Sequence, residues 1–249
     1  MAKILLIETA SEICSAAIAV DGHVVALEET QEAGSHAALL TLQIDACAKK
    51  AGLPLASLDA VALSSGPGAY TSLRVGASVA KGICYALDKP LIAIDTLLAL
   101  AGAAKSWHQA QFSQVSSKVV FVPALDARRQ EIWTAVYDFD LQLVTPAQPL
   151  ILENNLFGNF VKEARATDVS AHESGGGFIS VVSGNGSEKI RNGQVEKNTV
   201  IFSEKFCSAE NLADFAEIIF QKADFQDVAY FEPFYMKLPN ITKPANPIL

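Results

Sequence analysis

The chain has 249 residues, 50% of them hydrophobic and 18% charged, with 27 acidic against 19 basic side chains and a formal net charge of −8. This much apolar content excludes a disordered chain, and the length allows one large domain or two smaller ones. The acidic balance argues against a protein that coats nucleic acid or an anionic membrane unaided, because neutralising phosphates takes clustered Lys and Arg.

The first thirty residues predict three strands. Lys3–Thr9 reads as buried on both faces, Ser15–Val20 follows, and Asp21-Gly22 makes a two-residue hairpin turn into His23–Glu29. Ser35 stands as the N-cap of a helix that reaches Ala51 and ends at Gly52. A strand at Asp59–Ser65 leads through a glycine-rich turn into a helix over Thr71–Leu87. Leu91–Ile94 is a short strand before a third helix capped by Asp95 or Thr96. Ser106–Lys118 is polar and aperiodic, which predicts a connector between halves.

Beyond it, Val119–Leu125 and Ile132–Phe139 read as strands joined by the polar turn Asp126-Ala127-Arg128-Arg129-Gln130. A helix is expected near Asn154–Glu163, a strand at Phe178–Ser183 and a helix at Ala209–Lys222. Glu173–Gly177 is a glycine-rich loop, and the tail from Pro233 to Leu249, with four prolines, is expected to lie extended over the surface. The second half repeats the element order of the first. That repeat predicts an α/β molecule of two related lobes with mixed sheets flanked by helices, divided at residues 1–105 and 106–249.

Cys14, Cys47, Cys84 and Cys207 form no CxxC pair and read as small buried hydrophobes of a reducing compartment. The N-terminus lacks a signal-peptide pattern, and no apolar run approaches the roughly 20 residues needed to cross a bilayer. The sequence therefore reads as soluble and cytoplasmic. His23, His36, His108 and His172 build neither HxxxH nor HExxH, and no GxSxG elbow exists.

Three segments could bear chemistry. Ser64–Arg74 joins a buried strand to a helix through Gly66-Pro67-Gly68, with Thr71 or Ser72 placed to cap the first turn. It reads either as a tight corner or as an anion site made of helix-start N–H groups, though not as a P-loop. Gly184-Asn185-Gly186-Ser187 fits either a nucleotide contact between lobes or a plain Asn-Gly turn. Glu8, ending the first strand, could ligate a metal but has no clustered carboxylate beside it.

Two helices are apolar on more than one face. In Thr71–Leu87, Val75, Val79, Ile83 and Ala86 suit packing on the sheet, while Leu73, Gly76, Ala77, Ala80 and Cys84 form a second, mostly small-residue face. In the helix from Ser35, Leu40, Ile44 and Cys47 form a stripe widened by Leu39, Leu42 and Ala46. Such faces pack either on the other lobe or on a partner chain.

ILLIETA, SHAALL, SSGPGAYTSLRVGASVAKGICYAL, PLIAIDTLLALA, DARRQEIW and SGNGS follow one another in an order that resembles the TsaB (YeaZ) family, once grouped with glycoproteases. The resemblance covers most of residues 1–135, with weaker matches at Gly184–Ser187 and Phe234–Lys237. It implies an actin/Hsp70/sugar-kinase-like fold and a role in making N6-threonylcarbamoyladenosine at position 37 of tRNA. It further implies a subunit without catalytic residues, metal or cofactor of its own. Such a subunit pairs with the TsaD-type catalytic subunit, is joined by the ATPase TsaE, forms a homodimer when alone and meets tRNA only through the complex, with no membrane involved.

The paired surface implied is the two helices, with His36, Leu39, Leu40, Gln43, Cys47, Tyr70, Leu73, Arg74, Gly76, Ala77, Ala80 and Cys84 toward the partner and Tyr70 and Arg74 at its rim. On that assignment Gly76→Arg abolishes pairing and leaves the fold intact. Nucleotide contact, if any survives, falls on Gly184, Asn185 and Gly186. The sequence departs from the family pattern at Glu8, Ser64-Ser65 and Ala37-Ala38. The readings set against this one are a nucleotide-dependent kinase or phosphatase of the same fold class, and a peptidase.

Overall fold

Lys3–Glu8 (β1) buries five of its six side chains, as a strand covered on both faces must. In the computed structural model, which describes residues 1–31, 35–112, 119–153, 156–167, 179–192 and 200–236, β1 sits at the centre of a sheet. It pairs antiparallel with Cys14–Val20 (β2) and parallel with Ala60–Ser64 (β4). Asp21 and Gly22, at φ 51° and 77°, turn the chain into His23–Thr30 (β3). Leu91–Ile94 (β5) completes the order β3-β2-β1-β4-β5.

The second sheet is built from Val119–Asp126 (β6), Glu131–Tyr137 (β7), Leu143–Ile151 (β8), Ile179–Ser183 (β9) and Val200–Phe202 (β10), in the order β10-β9-β6-β7-β8. β6 pairs antiparallel with β7 and parallel with β9, so it occupies the place in its sheet that β1 holds in the first. The expected two-lobed α/β plan of mixed sheets is the one observed.

The helices are His36–Ala51 (α1), Tyr70–Leu87 (α2), Thr96–Gln111 (α3), Leu156–Thr167 (α4), Ser187–Arg191 (α5) and Ala213–Lys222 (α6). Gly52, at φ 65°, ends α1 in the left-handed conformation that favours glycine. Asp95 caps α3 by accepting the Leu98 N–H at 2.8 Å. Leu40, Ile44, Ala77 and Ala80 of α1 and α2 pack with Leu5, Ile7 and Ile18 on one face of the first sheet. On its other face lie Ala209 and Leu212 from a 3₁₀ turn and Ala216 of α6, against Ile4, Leu6 and Ala17. α3 gives Ala99 to that core and Leu97, Leu100 and Ala104 to the core of the second sheet, whose far face is covered by Phe157, Phe160 and Val161 of α4.

Three features depart from the sequence expectations. The polar segment from Ser106 begins as helix, since α3 continues to Gln111 and buries His108. β8 and β10 went unpredicted. Residues 209–222 pack on the first sheet, so the boundary at 105/106 does not divide the two cores. Glu173–Gly177 and the tail beyond residue 236 lie outside the described residues. No helix among the described residues is long and apolar enough to cross a membrane.

Candidate functional site

The Gly-Pro-Gly corner is packed on every side. Ser65 N–H donates to the Ile94 carbonyl at 2.8 Å, Gly66 N–H to Thr96 Oγ1 at 3.1 Å and Ala69 N–H to the Ala10 carbonyl at 2.8 Å. Gly66 has φ 105°, and a Cβ there would sit 2.5 Å from the Phe234 carbonyl oxygen, so the position admits glycine alone. The N-cap of α2 is Ala69, with no side-chain cap, so neither Thr71 nor Ser72 plays that part. These inward-turned amides make a structural corner, so Ser65, Gly66 and Ala69 offer no donor to an anion.

From this corner α2 presents its faces the opposite way from the sequence expectation. Leu73, Gly76, Ala77, Ala80 and Cys84 are buried against the molecule's own sheet, and Val75, Val79 and Ile83 lie half-buried at the flank. Small residues let α2 come close to β1 and the turn after it, where a Cβ on Gly76 would overlap Thr9 Oγ1. Gly76→Arg would therefore damage the fold itself. On α1, His36, Leu40, Gln43 and Cys47 are buried too. His36 Nε2 lies 3.1 Å from the Ser11 carbonyl oxygen, Gln43 Nε2 donates to the Cys14 carbonyl at 3.0 Å, and Cys47 Sγ donates to the Ala16 carbonyl at 3.0 Å. These side chains pin α1 to β2 and the turn before it and are not available to a partner.

Of the twelve residues implied for pairing, Leu39 is half-buried and only Tyr70 and Arg74 are exposed. They do adjoin an open surface. Tyr70, Thr71, Arg74, Val75, Ser78 and Val79 of α2 line, with Ala37 of α1, a cleft of about 440 Å³. Arg74 is held over the Tyr70 ring, 5.4 Å from its centroid, and donates to Tyr70 Oη at 3.1 Å. Further along α2, Tyr85 is 87% exposed, and α1 exposes Leu42 at 62%.

The carboxy-terminal segment borders the same surface. Lys81 Nζ of α2 donates to the Ala229 and Phe231 carbonyls at 3.1 and 3.0 Å, Phe231 enters the first core, and Tyr235 stacks on Tyr70 with centroids 4.7 Å apart. Sequence reasoning missed this strap because Lys81 holds it by main-chain carbonyls, which carry no side-chain signature, and Phe231 and Tyr235 stand in no periodic element.

At the end of β1, the Glu8 carboxylate is 1% exposed, accepting the Ala10 N–H at 2.6 Å and Ser64 Oγ–H at 2.8 Å. Burial pushes its pKa up to about 7, partly offset by those hydrogen bonds. Among the described residues no group of three or more His, Cys, Asp or Glu comes together, so Glu8 gathers no ligand set. Burial likewise pushes the Cys14, Cys47 and Cys84 thiols up to about 11, which suits inert packing.

In the second lobe, Gly184 (φ 94°) and Gly186 pack on Ala124. Asn185 accepts the Asp126 N–H at 2.9 Å and donates to Glu12 of the first lobe. The amide proposed for a nucleotide is thus used within the protein.

The model of the family described as "TsaD: tRNA N6-adenosine threonylcarbamoyltransferase" matches residues 28–245. The tRNA threonylcarbamoyladenosine biosynthesis protein TsaB of Haemophilus influenzae is 35% identical over 130 residues, which are 52% of this chain and 51% of that protein. TsaB of Escherichia coli is 31% identical over 138 residues, 55% and 56% of the two chains. The chain thus spans about half the length of the curated relatives it matches. Among solved structures, YeaZ from Pseudomonas aeruginosa superposes with a TM-score of 0.72 at 22% identity, over 94% of this chain and 100% of that one. A second P. aeruginosa protein, described as similar to peptidase YEAZ, gives 0.73 at 21% identity over 95% and 100%. These two likenesses are of fold.

Proposed function

The chain belongs to the family described as TsaD-type tRNA N6-adenosine threonylcarbamoyltransferase, among its TsaB (YeaZ) members, and from that membership we propose that it is a non-catalytic subunit of threonylcarbamoyladenosine synthesis on tRNA. On this reading it is a scaffold that pairs with and activates a catalytic TsaD-type subunit. A TsaE-type ATPase joins the pair, and the chain forms a homodimer when alone. A cytoplasmic location goes with that role.

The observation that carries the pairing is the open surface of α1 and α2. It has a cleft edged by Arg74, held over the Tyr70 ring, and the two helices also expose the apolar groups Leu42 and Tyr85. Aromatic and arginine side chains beside apolar area are what specific interfaces concentrate. The non-catalytic part draws support from the way the nearby reactive groups are engaged: Glu8 in bonds to Ala10 and Ser64, and the thiols in the core.

Size-exclusion chromatography with light scattering, on this chain mixed with the TsaD homologue of its organism, tests the reading. A species at the summed mass is expected, and Ser78→Arg, on the exposed side of α2, should abolish it without lowering Tm. Two separate peaks with or without ATP would count against pairing. Full activity of this chain alone in transferring threonylcarbamoyl to tRNA would count against the non-catalytic role.

A further inference from the structure

The turn between β6 and β7 holds two consecutive arginines in a backbone conformation that disfavours them, Arg128 at φ 68° and Arg129 at φ 51°. Side chains with a Cβ meet a steric cost there, and positions of positive φ ordinarily recruit Gly, Asn or Asp. The β2–β3 turn follows that rule with Asp21-Gly22. The β6–β7 turn breaks it, and outliers of this kind gather where a side chain has work to do.

The turn is braced from beneath. Asp126 Oδ1 accepts the Arg128 N–H at 2.5 Å and a Lys189 Nζ–H at 2.6 Å, and Lys189 also donates to the Glu131 carbonyl at 3.1 Å. Asn185 accepts the Asp126 N–H, and the Gly186 N–H donates to the Ala124 carbonyl at 2.9 Å. Two motifs far apart in sequence, DARRQEIW and SGNGS, therefore build one support. The Asp126 carboxylate, two residues before Arg128, is occupied by Lys189 and the backbone. Both arginines are exposed, and among the described residues neither guanidinium has an acidic partner.

We propose that Arg128 and Arg129 form a contact for the phosphodiester backbone of RNA, an inference that rests on the role in tRNA modification above and departs from the expectation that the chain meets tRNA only through the complex. Each guanidinium offers a planar fork of donors that matches phosphate oxygens. Two of them side by side on a braced turn can engage neighbouring phosphates while losing little freedom. A chain with a net charge of −8 draws no polyanion through its overall field, so contact with RNA has to reside in local, preset cations of this sort. The arginines stand at the tip of a hairpin, where a small anion stays hydrated but a polymer can span both.

The test is fluorescence anisotropy of labelled, unmodified tRNA with the full chain across a salt series. Wild type should bind with an affinity that falls as salt rises. The doubly substituted Arg128→Gly, Arg129→Gly chain should bind more weakly, with its log–log salt slope flattened by about 1.4–1.8 for two lost phosphate contacts. Because glycine relieves both positive φ values, that variant should melt no lower than wild type, which separates lost contact from lost fold. Arg128→Lys, Arg129→Lys should retain part of the binding.

Equal tRNA affinity of the glycine variant, no tRNA binding by wild type at low salt, or displacement of tRNA by micromolar ATP or inorganic phosphate would each overturn the inference. Assembly with the TsaD homologue is measured on the same proteins. Unchanged assembly of the glycine variant is expected, whereas failure of wild type to assemble would sink the scaffold reading and leave the tRNA result standing.

Discussion

A methyl group added at Gly68 would meet the Ala10 carbonyl oxygen at 2.5 Å and Ala10 Cβ at 2.7 Å, while at Gly82, in the same motif, it would meet nothing within 4 Å. The two glycines should respond to alanine with opposite signs. Gly68→Ala forces the corner off Ala10 and should cost roughly 1–3 kcal/mol. Gly82→Ala removes backbone freedom from the unfolded chain inside a helix and should add roughly 0.5–1 kcal/mol. Thermal melts check both, at about 2–4 °C per kcal/mol for a chain of this size.

Glu8 makes a second residue-scale prediction. Its folded pKa of about 7 lies above the 4.5 of an unperturbed carboxyl, so between those pH values the folded state holds the extra proton. Stability from this group is therefore greatest below about pH 4.5, falls as pH rises through the window and is flat above it, with a total penalty of roughly 3 kcal/mol. Glu8→Gln keeps an acceptor for the Ala10 N–H and removes the charge. Its Tm advantage over wild type should widen from pH 5 to pH 8, and an advantage that does not vary with pH would refute the assignment.

At the scale of elements, the strap of residues 226–236 ties the carboxy-terminal region to α2 and the edge strand β5. Gln226 N–H donates to the Leu91 carbonyl at 2.8 Å, and Phe231 is 9% exposed in the first core. Phe231→Ala should cost roughly 3 kcal/mol and free Tyr235 from Tyr70, read as a lower Tm together with altered tyrosine fluorescence. An unchanged Tm would mean the strap merely lies on the surface.

Most elements were legible from sequence because their signals are local: β1 from its unbroken apolar run, the β2–β3 turn from Asp21-Gly22, the end of α1 from Gly52. β8 was not, since Pro146 and Pro149 break the pattern. An edge strand tolerates them, and β8 is an edge strand. The faces of α2 were legible as two apolar stripes but not as inner and outer. Small side chains serve a close approach to a sheet as well as to a partner helix, and only the position of Thr9 decides which. Of the pairing residues, those that remain on the surface are the ones whose aromatic and charged chemistry marked them as rim, Tyr70 and Arg74.

For the whole molecule, the two sheets repeat one topology while their cores share a single helix. α3 sends Ala99 into the first core and Leu97 and Leu100 into the second, and Leu100 also meets the Gly184 turn. A further bond crosses between lobes, from the Asn185 amide to Glu12, and Ser183 Oγ–H ties β9 to α3 at the Leu100 carbonyl, 3.5 Å away. Lobes joined in this way should unfold together although each has its own sheet. Trp107 and Trp133 both pack on the second core, so their fluorescence reports that lobe alone. Leu212 is fully buried in the first core, and Leu212→Ala should cost roughly 2–5 kcal/mol there. If folding is cooperative across α3, the tryptophan transition should fall by the same number of degrees as the far-ultraviolet dichroism, and calorimetric and van't Hoff enthalpies should agree. A tryptophan midpoint that stays at its wild-type value while the dichroism shifts would show that the lobes fold independently, with α3 a linker and not a shared core.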